Sequence, residues 1–175
     1  MPPPIATSRF TLRPFTVNDA VDLLALFGDA ELMRYWNSEP LVDPEEARDA
    51  AEHFAEMQRR LGFVQWHVSE RSSNRFVGAV GLQPLGDDEV ELMYALLPAE
   101  HGKRFATEAA RAALAYGFDE VGLGEIVAIA RAANLPSLAV MERLSMRRVG
   151  PATYFGSEWV KYALTPRERP AALAG

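Results

Sequence analysis

The segment from Leu97 to Ala109 joins the end of a predicted strand to the start of a predicted helix. The strand is expected to end at Pro98 and an alanine-rich helix to begin near Ala106, with the small basic turn at 101–104 between them. A turn that leads directly into a helix presents backbone N–H groups and the positive end of the helix dipole to one point. That arrangement suits an anion such as a pyrophosphate, although many turns of this kind bind nothing.

The composition fits a single globular domain and excludes several kinds of site. The chain has 175 residues, of which 49% are hydrophobic, and it contains no cysteine. Disulfide scaffolds, thiolate nucleophiles and cysteine-ligated zinc are therefore excluded. His53, His67 and His101 lie far apart in the sequence and fit no metal-ligand spacing, so no metal is expected.

The charge pattern argues against nucleic-acid binding. The formal net charge is -6, from 18 basic and 24 acidic residues, so a cationic acceptor would be tolerated better than a nucleic acid. The sequence has neither an apolar run long enough to cross a bilayer nor a charged and then apolar leader. We expect a soluble, cytoplasmic protein that binds neither nucleic acid nor membrane.

The N-terminal half predicts a strand, two helices and three further strands. Alternating residues at 10–14 predict the first strand, and the start signal at 16–19 predicts helix one. The second helix has clear limits, with Asp43 as N-cap, Pro44 at the first helical position and Gly62 after the last apolar step. Three strand-like runs then predict an antiparallel meander: 63–70, 76–85 and 89–96.

The C-terminal half predicts an alternation of helices and strands. The expected elements are a helix to about residue 118, a strand at 125–130, a helix at 136–144, and strands at 147–154 and 158–164. The order β-α-α-β-β-β-α-β-α-β-β gives an α/β fold with a mixed sheet. One domain is expected over residues 9–165, between a disordered segment at 1–8 and a loose tail at 166–175.

Residues 12–14, 91–98 and 102–109 carry three motifs, and these resemble motifs of the GNAT superfamily of acyl-CoA-dependent N-acyltransferases, within it those of the RimJ/RimL type. The family's Leu-Arg-Pro strand matches residues 12–14, and its Glu-x-x-Tyr-x-Leu-x-Pro strand matches residues 91–98. The loop that follows in the family, Gly-Lys-Gly-aromatic-Ala-Thr-Glu-Ala, matches residues 102–109 except at Arg104.

A second group of motifs extends the resemblance towards the C-terminus. Asn134 and Ser137 fit the family's Asn-x-x-Ser element, and residues 142–146 stand where a Glu-Lys-Leu-Gly-Phe run is usual. The similarity extends from about residue 9 to residue 165, and the predicted order of elements matches the GNAT fold.

Three positions depart from the family pattern. In the superfamily's wider Gln/Arg-x-x-Gly-x-Gly/Ala signature, His101 occupies the Gln/Arg position and Arg104 replaces the first glycine, where the backbone usually approaches the pyrophosphate closely. Arg104 would either block the cofactor or bind its phosphates, and we favour binding because the guanidinium adds favourable charge. Met141 stands where many members carry a tyrosine general acid, so the proton for the leaving group is expected from another residue.

The resemblance implies direct acetyl transfer from acetyl-CoA to an amine. The amine attacks the thioester carbon, a tetrahedral oxyanion forms, and the CoA thiolate leaves. At pH 7 about one tenth of an α-amine is neutral, against about one part in a few thousand of a lysine, so a lysine needs much more help from a base. Glu91 is the first candidate for that base and Glu89 the second, and the alternative is that these carboxylates face solvent at a strand end.

The resemblance also implies a cofactor site along the strand end, the turn and the next helix. Backbone groups at 94–96 would stabilise the oxyanion and pair with the pantetheine arm. Ser137 would protonate or hydrogen-bond the departing thiolate and Asn134 would bond the pantetheine amides, with helix capping as the alternative. The predicted cofactor-binding residues are Tyr94, Ala95, Leu96, His101, Gly102, Lys103, Arg104, Phe105, Ala106, Thr107, Asn134 and Ser137.

Aromatic residues after helix one supply a candidate wall for the acceptor. Tyr35 and Trp36 lie where the GNAT fold usually walls the acceptor channel, and ordinary packing is the alternative, as it is for Trp66 and Trp159. His67 is expected to be a strand surface residue rather than a catalyst.

The leading hypothesis is an acetyl-CoA-dependent N-acetyltransferase that acts on a protein N-terminus or a small amine. One alternative is a CoA-binding sensor in which Arg104 and the missing tyrosine mark lost catalysis, and another is a protein-interaction domain whose loop holds no anion. The sequence identifies neither the acceptor nor the oligomeric state, and a homodimer is the commonest arrangement among soluble oligomers.

Overall fold

The computed structural model of the chain describes residues 4–170, in which eight strands form one sheet. The strands are β1 (Ile5–Ala6), β2 (Phe10–Pro14), β3 (Gln65–Glu70), β4 (Phe76–Leu85), β5 (Glu89–Leu96), β6 (Ile126–Ala130), β7 (Arg147–Tyr154) and β8 (Ser157–Leu164). Their spatial order is β1-β2-β3-β4-β5-β6-β8-β7. All neighbouring strands are antiparallel except β5 and β6, which run parallel, so the predicted mixed sheet and its meander are confirmed.

The helices begin and end at local sequence signals. They are α1 (Ala20–Phe27), α2 (Ala30–Met33), α3 (Pro44–Leu61), α4 (Phe105–Asp119) and α5 (Leu135–Arg143). The Asp43 side chain accepts hydrogen bonds from the first turn of α3, and Gly62 ends that helix with a φ of 78°, as predicted. The sequence prediction omits α2, which is only one turn long and is capped by Asp29. None of the helices within residues 4–170 is both long and apolar enough to cross a bilayer.

The helices cover both faces of the sheet. Along β5, Leu92 and Leu96 pack into a hydrophobic core with α4 and α5, whereas Met93 and Ala95 pack into a second core with α1, α2 and α3. This alternation follows from the two-residue period of a strand. A central strand is therefore buried on both faces, and a polar side chain on it must find a partner inside the protein.

The strands β5 and β6 separate after a single paired position. The register between them contains only Glu91 and Val127, whereas β5 pairs with β4 along its full length. Beyond Glu91, the edge of β5 that faces β6 carries backbone groups without a strand partner among the described residues. The opening lies beside the turn that leads into α4, and it is the feature of the fold that positions the site.

The parts of the chain outside the predicted domain make specific contacts. The segment before residue 9, expected to be disordered, contributes β1, and Thr7 and Ser8 donate hydrogen bonds to the Glu108 carboxylate. In the tail, expected to be loose, Arg169 forms an ion pair with Asp119. Residues 1–3 of the segment predicted to be disordered lie outside the described residues. So do residues 171–175 of the tail predicted to be loose.

Candidate active site

Two cavities adjoin where β5 and β6 diverge. The small cavity has a volume of about 300 Å³ and extends around Glu91. The large cavity has a volume of about 600 Å³ and extends along the end of β5, the basic turn and the start of α4. Both are lined by the same five residues, Tyr35, Trp36, Tyr94, Asn134 and Ser137. A molecule that lies along the large cavity can therefore present one end to the small cavity at these residues.

The large cavity gathers all but one of the predicted cofactor-binding residues. The exception is Lys103, whose Nζ lies 3.1 Å from Oε2 of Glu100. Glu100 is only 2% exposed and also accepts a hydrogen bond from Arg75. The Lys103 side chain is thus bound to a buried carboxylate rather than aimed into the cavity. Two further cationic residues that the sequence analysis did not select, Arg34 and Arg143, line the large cavity instead.

The start of α4 has the properties of an anion site. The helix has no side-chain cap, so the N–H groups of its first turn are not bound by a capping side chain. The buried hydroxyl of Thr107, in that same turn, has no hydrogen-bond partner among the described residues. Backbone N–H groups and a free hydroxyl at a helix N-terminus are donors that phosphate oxygens accept. These donors fit the diphosphate of a CoA molecule.

Two residues shape the turn before α4. Arg104 has a φ of 60° and a ψ of 20°, a left-handed conformation that favours glycine, and its side chain lines the large cavity. The chain thus adopts, with an arginine, a backbone conformation that glycine reaches at lower cost. His101 Nε2 donates a 3.0 Å hydrogen bond to the Leu96 carbonyl, which fixes the turn to the end of β5.

Glu91 is the buried carboxylate of the small cavity. It is 8% exposed, and Gln83 Nε2 donates a 2.9 Å hydrogen bond to its Oε2. Burial raises the pKa of Glu91 to about 7, although hydrogen bonds from Gln83 and from the backbone of Ile129 act in the opposite direction. A carboxylate with a pKa near neutral can both accept and release a proton at physiological pH.

Glu89, the second candidate base, is held in a different environment. Its carboxylate accepts hydrogen bonds from Lys161 Nζ and from the hydroxyl of Tyr154. Burial raises its pKa, but these two bonds outweigh burial, and the pKa of Glu89 lies below its ordinary value. Glu89 lines neither cavity. The geometry therefore favours Glu91 over Glu89.

The start of α5 contributes polar groups to both cavities. Asn134 Oδ1 accepts a hydrogen bond from the Ser137 N–H at 3.3 Å, which confirms the capping contact of Asn134 and leaves its side-chain N–H groups for another partner. Tyr94 donates a 2.9 Å hydrogen bond to the Ser137 carbonyl, and burial raises the pKa of the Tyr94 hydroxyl, so it stays neutral. Met141 is buried and lines the small cavity, where it offers no proton.

Aromatic residues form much of the wall. Tyr35 and Trp36 line both cavities. The Trp36 ring also packs edge-on against Phe27, so Trp36 both contributes to packing and forms part of the cavity wall. Trp159, for which ordinary packing was the alternative, lines the small cavity together with Phe155.

Gln83 and Arg131 also line the small cavity, and the sequence analysis missed them both. Gln83 is the register partner of Glu91 in the antiparallel pair of β4 and β5. Gln83 could have been found from the sequence, because the predicted limits of the two strands determine which residue lies opposite Glu91. Arg131 follows the end of β6, next to the opening between the parallel strands.

His67 belongs to a buried cluster away from the cavities, and the prediction of a surface position is wrong. It is 4% exposed because helices cover both faces of the sheet at β3, and its Nε2 lies 2.9 Å from Oδ2 of Asp22. Asp19, Asp22 and His67 present ligand atoms within 4.8 Å of one another. Asp19, however, already forms a two-bond ion pair with Arg13. Burial lowers the pKa of His67, so its ring is neutral at pH 7.

Comparison with known proteins points to one family. The sequence model of the GNAT acetyltransferase domain matches residues 9–147. The uncharacterised N-acetyltransferase YoaA of Bacillus subtilis is 26% identical over 150 residues, which cover 85% of each chain. The uncharacterised N-acetyltransferase p20 of Bacillus licheniformis is 27% identical over 146 residues, which cover 82% of each chain.

Solved structures share the fold. A GNAT-family acetyltransferase from Bacillus anthracis superposes with a TM-score of 0.78 and 26% identity, over 93% of this chain and 98% of that one. The ribosomal L7/L12 α-N-protein acetyltransferase RimL, solved in complex with coenzyme A, superposes with a TM-score of 0.80 over 93% and 98% of the two chains, and its 18% identity is evidence of a common fold alone. The match to the domain model covers most of the chain, and the arrangement of strands and helices agrees with it. The chain therefore belongs to the GNAT family of acetyltransferases.

Proposed function

We propose that this protein is an acetyl-CoA-dependent N-acetyltransferase of the RimJ/RimL type, with a primary amine as acceptor in the small cavity. One observation carries the proposal: the two cavities meet at Tyr94, Asn134 and Ser137, with the buried Glu91 on the acceptor side. A transferase for two substrates needs two such sites that join at the reacting atoms.

The large cavity would hold the cofactor. Its phosphates would accept hydrogen bonds from the first turn of α4, where the Thr107 hydroxyl is unpartnered and Arg104 adds positive charge. The pantetheine arm would pair with the free edge of β5 at 94–96 and bond the side-chain amide of Asn134, which would bring the thioester to the junction of the cavities. The RimL structure with coenzyme A supports this placement, because it has the same fold.

The acceptor would react by direct attack. As the amine nitrogen forms its bond to the thioester carbon, Glu91 would take up the proton of the nitrogen through water in the small cavity. A tetrahedral oxyanion would form and be stabilised by backbone N–H groups of β5 at 94–96. The carbon–sulfur bond then breaks, and the CoA thiolate leaves with a hydrogen bond from the Ser137 hydroxyl that stabilises its charge, because Met141 offers no donor there.

A small amine or an α-amine suits the small cavity better than a lysine side chain. About 300 Å³ is at the lower limit of ordinary ligand sites. An amine with a pKa of about 8 is roughly one tenth neutral at pH 7, so a single glutamate near neutrality is a sufficient base. A lysine would require several kcal/mol more to be deprotonated.

A CoA-binding sensor is the second candidate, and the apolar Met141 at the usual position of the tyrosine favours it. Thermal-shift titration with acetyl-CoA and with CoA, together with thiol release over a panel of amines, separates the two. The proposed function predicts stabilisation by both ligands and amine-dependent thiol release. Stabilisation without release on any amine would support the sensor, and the absence of stabilisation would contradict both functions.

A further inference from the structure

The small cavity is lined by two residues of opposite charge, Glu91 and Arg131. Arg131 lies immediately after β6, and its guanidinium carbon lies 3.9 Å from the centre of the Trp159 ring. Its Nη1 donates a 3.1 Å hydrogen bond to the carbonyl of Glu158. The stacking and this hydrogen bond hold the planar group in place, and they use one face and one nitrogen of the guanidinium.

Arg131 has no carboxylate partner within residues 4–170. Its single hydrogen bond there is to a main-chain carbonyl, and it forms no ion pair. The carboxylate of Glu89 is paired with Lys161 and Tyr154. Arg131 is half-buried against an aromatic ring, so its remaining N–H groups lack both full hydration and a counter-charge. A guanidinium in that state binds a carboxylate through two parallel hydrogen bonds.

Glu91 and Arg131 lie at different positions along the direction of the strands. Glu91 is paired with Val127, and Arg131 lies four residues further along the chain, just after β6, which corresponds to about 13 Å at the rise of a strand. The long side chain of Arg131 can span part of that distance. The junction with the large cavity, at Tyr94, lies about 10 Å from Glu91 along β5 in the same direction. Arg131 and the junction thus lie at similar levels along the sheet. The amine nitrogen and the carboxylate of an α-amino acid are attached to one carbon, so this ligand can place its nitrogen at the junction and its carboxylate at Arg131, with the aromatic wall along its side.

We propose that the acceptor is a small primary amine that also carries a carboxylate, an amino acid with an apolar or aromatic side chain, and that Arg131 binds this carboxylate. The inference rests on the proposed function and names its substrate class. Phe155 and Trp159 would pack against the side chain of the amino acid, since both line the small cavity. Arg131 is thus a specificity-determining residue rather than a base or an acid.

The test compares amines with and without the α-carboxylate. Thiol release from acetyl-CoA is measured with phenylalanine, phenylalaninamide and phenethylamine, and with a dipeptide amide that carries an acidic side chain. We expect kcat/KM to be about 10- to 100-fold higher for phenylalanine than for the amide or the amine, because hydrogen bonds between charged groups are worth that much. Equal or faster turnover of the amide, of phenethylamine or of the acidic dipeptide amide would overturn the proposal.

Variants of Arg131 test whether this residue causes the preference for phenylalanine over the analogues without a carboxylate. Arg131→Gln should raise KM for phenylalanine at least tenfold, leave turnover of the two analogues unchanged, and remove the preference. Arg131→Lys should restore part of it, since it keeps the charge but not the two-bond geometry. Arg111→Gln, an exposed change of the same charge on α4, is the matched control and should have no effect. An equal loss on all three amines in Arg131→Gln would contradict the proposal.

A binding measurement separates failure of this inference from failure of the proposed function. Titration calorimetry of the CoA-loaded protein with N-acetylphenylalanine measures binding of a carboxylate to this site without turnover. Binding by the wild type that is lost in Arg131→Gln supports the inference even if no amine is acetylated, in which case the transferase proposal falls alone. Absence of both binding and turnover overturns the inference.

Discussion

Gln83 and Glu91 face each other across adjacent strands, and Nε2 of Gln83 donates a 2.9 Å hydrogen bond to Oε2 of Glu91. Gln83 Oε1 in turn accepts a hydrogen bond from Gln65 on β3. The chain of side chains crosses three strands and ends on the proposed base. Because the hydrogen bond from Gln83 favours the ionised carboxylate, it limits how far burial can raise the pKa of Glu91.

Replacement of the base should abolish one limb of the pH profile. With a weakly basic amine, the wild-type kcat/KM should rise with pH through about 7, as Glu91 loses its proton. Glu91→Gln should lower kcat/KM about 100-fold at pH 7 and remove that limb. Glu89→Gln should keep the limb, because Glu89 is bound to Lys161. A Glu91→Gln variant within threefold of the wild type would contradict the assignment.

The same substitution should stabilise the protein at alkaline pH. The pKa of Glu91 rises from 4.5 to about 7 on folding, so its favourable contribution is complete below pH 4.5 and is lost as pH rises through 7. The corresponding free energy is about 3 kcal/mol. In urea unfolding, the stability of Glu91→Gln relative to the wild type should grow from near zero at pH 4.5 to about 3 kcal/mol at pH 8. A difference that is independent of pH would refute the burial argument.

Removal of the Gln83 amide should move the pH limb. In Gln83→Leu, Glu91 loses a donor that favours its ionised form, so the ascending limb should shift to higher pH. The variant should also lose about 1 to 3 kcal/mol of stability, because Gln65 keeps a buried amide without a partner. The double variant Gln65→Leu/Gln83→Leu should recover most of this stability and retain the shifted limb. An unshifted limb in both would show that Gln83 does not tune the base.

Arg104→Gly tests whether the unusual arginine aids cofactor binding. Glycine relieves a left-handed conformation that costs an L-residue about 1 to 2 kcal/mol, so thermal stability should not fall. The Kd for CoA should rise about tenfold and become less sensitive to salt. Lys103→Ala removes the same charge from a side chain bound to Glu100, and should weaken CoA binding less. Tighter CoA binding by Arg104→Gly would mean that the arginine obstructs the site.

The Arg13–Asp19 pair should control unfolding in acid. Burial raises the pKa of Asp19, but hydrogen bonds from Arg13 and Thr16 bring it down to about 2. Its contribution of about 2 kcal/mol is present above pH 3.8 and is lost as pH falls towards 2. Asp19→Asn should lower stability by about that amount at pH 7 and flatten the acid dependence below pH 4. Glu56→Gln, which breaks an exposed pair with Arg59, should change stability by less than about 0.5 kcal/mol.

The elements of the fold were predictable where their signals are local. Asp43 and Gly62 mark the two ends of α3, because a cap acts through hydrogen bonds and backbone angles within one turn of the helix. The bounds of β4 and β5 follow from the turn residues between them. The short helix α2 escaped prediction, since one turn has too few residues to display a period.

The sequence by itself determined the family, the order of elements and the turn that leads into α4. Each of these depends on short motifs whose residues lie close together along the chain. Only the tertiary structure decided that Glu91 is buried while Glu89 is paired with Lys161, that His67 lies inside, and that Arg131 faces the small cavity. These properties depend on which strands are neighbours and which helices cover them. A residue's pKa and its partners are set by groups that are distant in sequence, so no local pattern can contain them.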